Sequence, residues 1–132
     1  YVESTYRIRH GRASTAIAGL SMGGAQTLDI AFGDLKSYGY VGVFSSGVFG
    51  IANNSDWESM HAAQLDDAAA KRDLDLVWFS TGKDDFLLDT TKATVAMLEK
   101  HGFDVVYEES TGGHTWINWR EYLAKFAPKL FK

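Results

Sequence analysis

The sequence predicts an α/β fold of about four parallel strands with helices on both faces, a three-layer αβα arrangement. Two observations carry that prediction. Short apolar runs of strand length alternate with longer stretches at helical spacing, as βα units do. No repeat, low-complexity tract or proline-rich linker divides the chain, whose one proline is Pro128.

The elements follow in order. Thr15 to Leu20 reads as a short apolar strand, and Met22 to Phe32 continues it as a helix. Tyr40 to Ser45 is a second strand that runs into the loop Gly47-Val48-Phe49-Gly50. Trp57 to Leu74 reads as one helix, favoured by Ala62, Ala63, Leu65 and the run Ala68-Ala69-Ala70. Leu74 to Ser80 is a third strand with the core Leu76-Val77-Trp78-Phe79. Thr90 to His101 is a helix that Gly102 closes at its C′ position. Phe103 to Glu108 is the fourth strand, and Trp116 to Leu130 the last helix. Strands joined by helical crossovers form a parallel sheet, and ligands bind such sheets beyond the carboxyl ends of the strands. Ser21, Gly47, Asp84-Asp85 and His114 each follow a predicted strand end, so the chemistry is expected on one rim.

Composition narrows the chemistry. The chain has 132 residues, enough for one domain and too few for two. A net charge of −4 with scattered cations gives no footprint for nucleic acid. With no cysteine, disulfides, thiolate catalysis and Cys-ligated zinc are excluded. No apolar stretch approaches the roughly 18 residues of a membrane span, so no membrane partner is expected. Nothing has metal-ligand spacing, and no cofactor is expected. The N-terminal residues Tyr1-Val2-Glu3-Ser4 include no initiator Met and no signal-peptide pattern, and the chain reads as starting inside a larger protein.

The chemistry centres on Gly19-Leu20-Ser21-Met22-Gly23-Gly24. A G-x-S-x-G pentapeptide alone is weak evidence. Between a strand and a helix it becomes a nucleophile elbow, which needs small neighbours at a tight turn. Gly19, Gly23 and Gly24 supply them, and the helix N-terminus aims free N–H groups at the reacting centre. The backbone N–H of Met22 is then an oxyanion donor. A serine nucleophile requires a base. Of His10, His61, His101 and His114, only His114 lies in a glycine loop directly after a strand on the expected rim. The group that orients the imidazole is Asp84 or Asp85, which follow the third strand. Spacing does not choose between them, although the order Ser, Asp, His is the hydrolase order. Phe49 and Trp116 are expected to line a substrate pocket, whereas Trp57 and Trp119 read as core packing. Asp66-Asp67 and Glu108-Glu109 read as solvated faces.

Three motifs in order, Ile17 to Gly24, Gly82-Lys83-Asp84-Asp85-Phe86-Leu87 and Gly112-Gly113-His114-Thr115-Trp116, resemble the esterase-D-like α/β-hydrolases. Within that group the resemblance is greatest to the feruloyl and acetyl-xylan esterases of carbohydrate esterase family 1. It implies a serine carboxylesterase acting on feruloyl or acetyl groups of xylan. The family's acid ends a G-x-x-D turn, which falls on Asp85. Its substrates are ester-substituted carbohydrates or small esters, and its location is secreted or periplasmic. The same triad would serve an S-formylglutathione hydrolase, a siderophore esterase or an acyltransferase. A non-catalytic carbohydrate-binding remnant of the fold is the reading from another class. Members of this family are roughly twice as long, as a complete sheet of about eight strands requires. Residues 1–132 are therefore expected to be a single partial α/β-hydrolase domain, its C-terminal half, without the N-terminal strands and the loop that carries the other oxyanion donor. Its elbow strand would become an exposed edge open to self-association.

Overall fold

A computed structural model describes residues 1–132. The four apolar runs form one sheet from β1 (Ala16–Leu20), β2 (Tyr40–Phe44), β3 (Leu76–Gly82) and β4 (Val105–Ser110), ordered β1-β2-β3-β4 and parallel throughout. Leu20 lies opposite Phe44, Phe44 opposite Ser80, and Ser80 opposite Glu108. The carboxyl ends therefore share one rim. β2 is buried along its whole length, whereas β1 is an edge with Ala18 exposed.

The helices are α1 (Val2–Thr5), α2 (Met22–Ala31), α3 (Trp57–Met60), α4 (Ala62–Leu65), α5 (Ala68–Arg72), α6 (Leu88–Lys100) and α7 (Trp116–Phe126). Period-two alternation sorts the strand residues between two cores. Val41, Val43, Val77 and Phe79 face Leu28, Ala31, Leu65, Val95 and Leu98, so α2 to α6 cover that side. Phe44 and Trp78 face Tyr122 and Phe126, so α7 covers the other side alone. α6 buries Thr91, Thr94, Val95 and Leu98, a stripe at helical spacing. Its threonines are satisfied internally. The Thr91 hydroxyl donates to the Ser46 carbonyl at 2.8 Å, and the Thr94 hydroxyl accepts from the Val48 N–H at 2.9 Å. Gly102 closes the helix as expected. At φ +85° it donates to the Glu99 carbonyl while Phe103 donates to the Leu98 carbonyl.

The single helix expected over Trp57 to Leu74 is instead three short ones, α3, α4 and α5. Asp67 interrupts it by taking a backbone N–H for its own side chain, so that a new helix starts there. The His61 ring bonds the Trp57 carbonyl at 2.7 Å, and the Asp67 carboxylate accepts from the Ala70 N–H at 3.0 Å to start α5. Asp67 is thus a helix cap, not only a solvated charge. His101 at the end of α6 reaches Glu58 at 2.7 Å and Asp66 at 3.1 Å, tying these helices down. The Lys100 ammonium, and after it the His101 ring, hold the Glu58 carboxyl below its usual range. Glu109 pairs with Lys92 at 3.2 Å and Glu108 with Lys125 at 3.4 Å. The strand after α5 begins at Leu76 rather than Leu74, because the N–H groups of Asp75 and Leu76 both turn to the Gly39 carbonyl. α7 stops at Phe126, and Pro128 lies in a tighter turn, Ala127–Lys129.

α7 docks through few residues, so one truncation weighs heavily. Phe126→Ala is expected to lower unfolding free energy by about 3–5 kcal/mol in urea titration. The exposed Leu123→Ala should change it by no more than about 0.5 kcal/mol.

Candidate active site

The rim is organised around the turn from β1 into α2. Ser21 holds φ +53° and ψ −126°, a conformation that L-residues adopt rarely. Its N–H donates to the Phe44 carbonyl at 2.9 Å, and its carbonyl accepts from the Gly24 N–H at 3.0 Å. The turn leaves no room for side chains at two flanking positions. A Cβ on Gly19 would lie 2.2 Å from the Gly23 carbonyl oxygen, and one on Gly24 would lie 2.5 Å from the Ser46 Cβ. Gly23 is different, since a Cβ there would meet open space. The expectation that all three glycines are needed for closeness is corrected to two.

Ser21 Oγ lies 2.9 Å from Nε2 of His114, a residue 93 positions later in the chain. The other ring nitrogen, Nδ1, is 3.1 Å from both carboxylate oxygens of Asp85. An ionised carboxylate only accepts, so Nδ1 carries the proton and Nε2 is left to accept from the serine hydroxyl. The Asp85 side chain is fully buried and also accepts from the Leu87 N–H at 2.8 Å. Asp84 points to solvent, while its backbone N–H donates to the Gly112 carbonyl at 2.9 Å. Of the two adjacent acids, then, it is Asp85 that faces the imidazole. Met22 opens α2, where an N–H has no partner inside its own helix.

The remaining histidines are elsewhere. His10 is exposed, His61 stacks on Trp57 at 4.0 Å, and His101 belongs to the Glu58 pairings. No group of three or more His, Asp or Glu side chains is arranged to hold a metal ion.

Aromatic rings surround the imidazole. Phe86 approaches at 4.7 Å between centroids although it is 76% exposed, and Trp119 meets the ring edge-on at 5.0 Å. Trp119 is held by its indole N–H, which donates to Ser45 Oγ at 3.0 Å, so it does more than dock the last helix. Trp116 lies exposed, 5.1 Å from Trp119. Trp57 is core, as expected, with its indole N–H on Asp29 at 2.7 Å. Phe49 borders a small cavity of about 150 Å³ with Ala25, Asp29 and Val48, near the first turn of α2. Phe86 was not expected at the site. Its only sequence signal is adjacency to Asp85, which does not say where the ring points.

The family model described as "Putative esterase" matches residues 1–130. An acetyl esterase of Caldicellulosiruptor saccharolyticus is 28% identical over 152 residues, covering 94% of this chain and 57% of the relative. A solved ferulic acid esterase superposes with a TM-score of 0.76 at 27% identity, over 97% of this chain and 55% of that one. An S-formylglutathione hydrolase of Staphylococcus aureus shares the fold, with a TM-score of 0.74 at 20% identity over 98% and 56% of the two chains. The chain spans about half the length of these relatives.

The glycines of the turn give a direct test. Gly23→Ala should keep or raise stability, by up to about 1 kcal/mol, because it adds helix propensity in open space. Gly19→Ala should lower stability by about 1–3 kcal/mol in the same thermal unfolding assay, because the new methyl meets backbone.

Proposed function

The chain belongs to this esterase family and carries part of the α/β-hydrolase fold, and from that premise we propose that it forms the catalytic portion of a serine carboxylesterase. The observation that carries the reading is the unbroken line Ser21 Oγ, His114, Asp85, with steps of 2.9 and 3.1 Å, at a strained strand-to-helix turn. Ser21 Oγ attacks the ester carbonyl carbon while His114 Nε2 takes the hydroxyl proton. The imidazolium gives that proton to the leaving alcohol, and an acyl-enzyme remains. Water then attacks the acyl carbon, His114 again taking and returning a proton, and the acid leaves with Ser21 restored. Asp85 keeps the Nδ1 proton in place and stabilises the imidazolium. The Met22 N–H donates to the oxyanion in both steps.

The substrate class we favour is an acyl ester of plant cell-wall polysaccharide, with acetyl or feruloyl groups on xylan. The acetyl and ferulic acid esterases among the relatives support it, as does the exposed ring of Trp116 against Trp119, which meets the imidazole. We assign the other oxyanion donor to a segment outside residues 1–132, since the relatives are nearly twice as long. Without such a donor the rate would fall on the order of 10²–10³. β1, with its free edge, is the strand that such a segment would pair with, or through which copies would associate.

A fluorophosphonate probe should label the protein at Ser21, and the label should vanish in Ser21→Ala. Intact protein without label would sink the esterase reading and favour a carbohydrate-binding module. Comparing methyl ferulate, acetylated xylan and S-formylglutathione as substrates decides the class, the last being the alternative that the shared fold raises.

Replacing the buried acid separates the two aspartates. Asp85→Asn should lower kcat on the order of 10⁴-fold, by leaving the imidazole in the wrong tautomer. Asp84→Asn, with its side chain in solvent, should stay within about threefold of the parent in the same steady-state assay.

A further inference from the structure

His114 sits in the short loop between β4 and α7, and glycines at 112 and 113 leave that loop without stiffness of its own. Gly112 is at φ +83°. Something must hold the backbone, because the Ser21–His114–Asp85 geometry tolerates little displacement. One buried side chain on the first turn of α7 does this. The Asn118 amide donates from Nδ2 to the Thr111 carbonyl at 2.7 Å and to Ser110 Oγ at 3.1 Å. Its Oδ1 accepts from the Thr115 hydroxyl at 2.8 Å. Thr111 and Thr115 are the two ends of the loop, so a single planar amide spans it. The same amide lies against Gly112, where a Cβ would come within 2.8 Å of Oδ1.

The loop is also fastened to the acid's turn. The Asp84 N–H donates to the Gly112 carbonyl at 2.9 Å, and the Lys83 N–H donates to the Ser110 carbonyl at 2.8 Å. Asn118 therefore fixes the strip of backbone from which Asp85 and His114 are both registered. Ser110 Oγ and the Tyr122 hydroxyl, 2.7 Å apart, complete a polar cluster beneath the loop. A donor–acceptor side chain buried to 7% exposure is costly unless its bonds are all made, and here they are directed at the loop.

We propose that Asn118 is a positioning residue of the ester hydrolysis, acting through the Thr111–Thr115 loop to keep the His114 imidazole aligned between Ser21 and Asp85. This rests on the proposed function. Asn118 touches neither the reacting atoms nor the imidazole.

The test is Asn118→Asp, which keeps the shape and the acceptor for Thr115 but replaces both donors with a carboxylate oxygen facing the Thr111 carbonyl. Rates on an aryl acetate are divided by the number of sites that a fluorophosphonate titrates. Per titrated site, kcat should fall about 10- to 100-fold with KM within about twofold. In an Asp85→Asn background the same change should cost much less, since the alignment it protects is already lost. Proton NMR should show the downfield His114 Nδ1–H resonance of the parent broadened or lost. Fewer titrated sites with unchanged kcat per site would reduce Asn118 to a folding role and overturn the proposal. So would an equal fold-loss in the Asp85→Asn background. If the parent protein turns over no ester, the functional reading fails. The NMR comparison still decides on Asn118, because a sharp resonance surviving in Asn118→Asp would show that the imidazole is held without it.

Discussion

A serine held at φ +53° between a strand and a helix is the constraint on which the rest of this site depends. Such a backbone costs on the order of 1–3 kcal/mol and persists only where its surroundings over-determine it. Here the surroundings are specific. The Ser21 N–H is drawn to the Phe44 carbonyl, so β2 pins the end of β1. Gly19 and Gly24 let strand, helix and the Ser46 loop close to distances no side chain would permit. The result is an Oγ that stands at the rim instead of lying along the sheet. Close packing of this kind has a cost. Ser46 Oγ, wedged against Gly24, is buried without a hydrogen-bond partner.

The two faces of the sheet contribute unequally. α2 to α6 bury a large apolar cluster on one side. α7 covers the other side with a cluster of four buried residues, and it also anchors the histidine loop. Stability and alignment are thereby coupled through α7. Its Tyr122 and Phe126 hold the helix on the sheet, while Asn118 and Trp119, nearer its N-terminus, face the loop and the imidazole. The threonines of α6 do similar work for the Ser46–Val48 loop, bonding it from below.

The imidazole has polar partners at its two nitrogens and aromatic ones at its sides. Asp85 and Ser21 define its axis, and Phe86 and Trp119 flank the ring. Phe86 lies exposed against the imidazole, whereas the Asp85 carboxylate behind it is buried.

Much of this was legible in the sequence, because it rests on short-range physics. Short apolar runs and helical spacing mark the four strands and the helices α2, α6 and α7, and the elbow follows from small residues around Ser21. His114 stood out among four histidines because a strand and a glycine loop precede it. Other features were decided only by tertiary structure. Adjacent carboxylates in a turn diverge, and spacing alone left Asp84 and Asp85 undecided. Asp85 faces His114 because the Asp84 backbone is tied to Gly112, a contact between segments far apart in the chain. The expected long helix after Trp57 breaks where Asp67 caps a new start and where Glu58 and Asp66 meet His101. Asn118 carried no signal in the sequence and Phe86 only its adjacency to Asp85, since their place at the site depends on which remote loop packs beside them. Periodicity and turn sterics act over a few residues and can be read directly. Which side chains converge on one imidazole depends on contacts across the whole chain, and only the folded sheet brings them together.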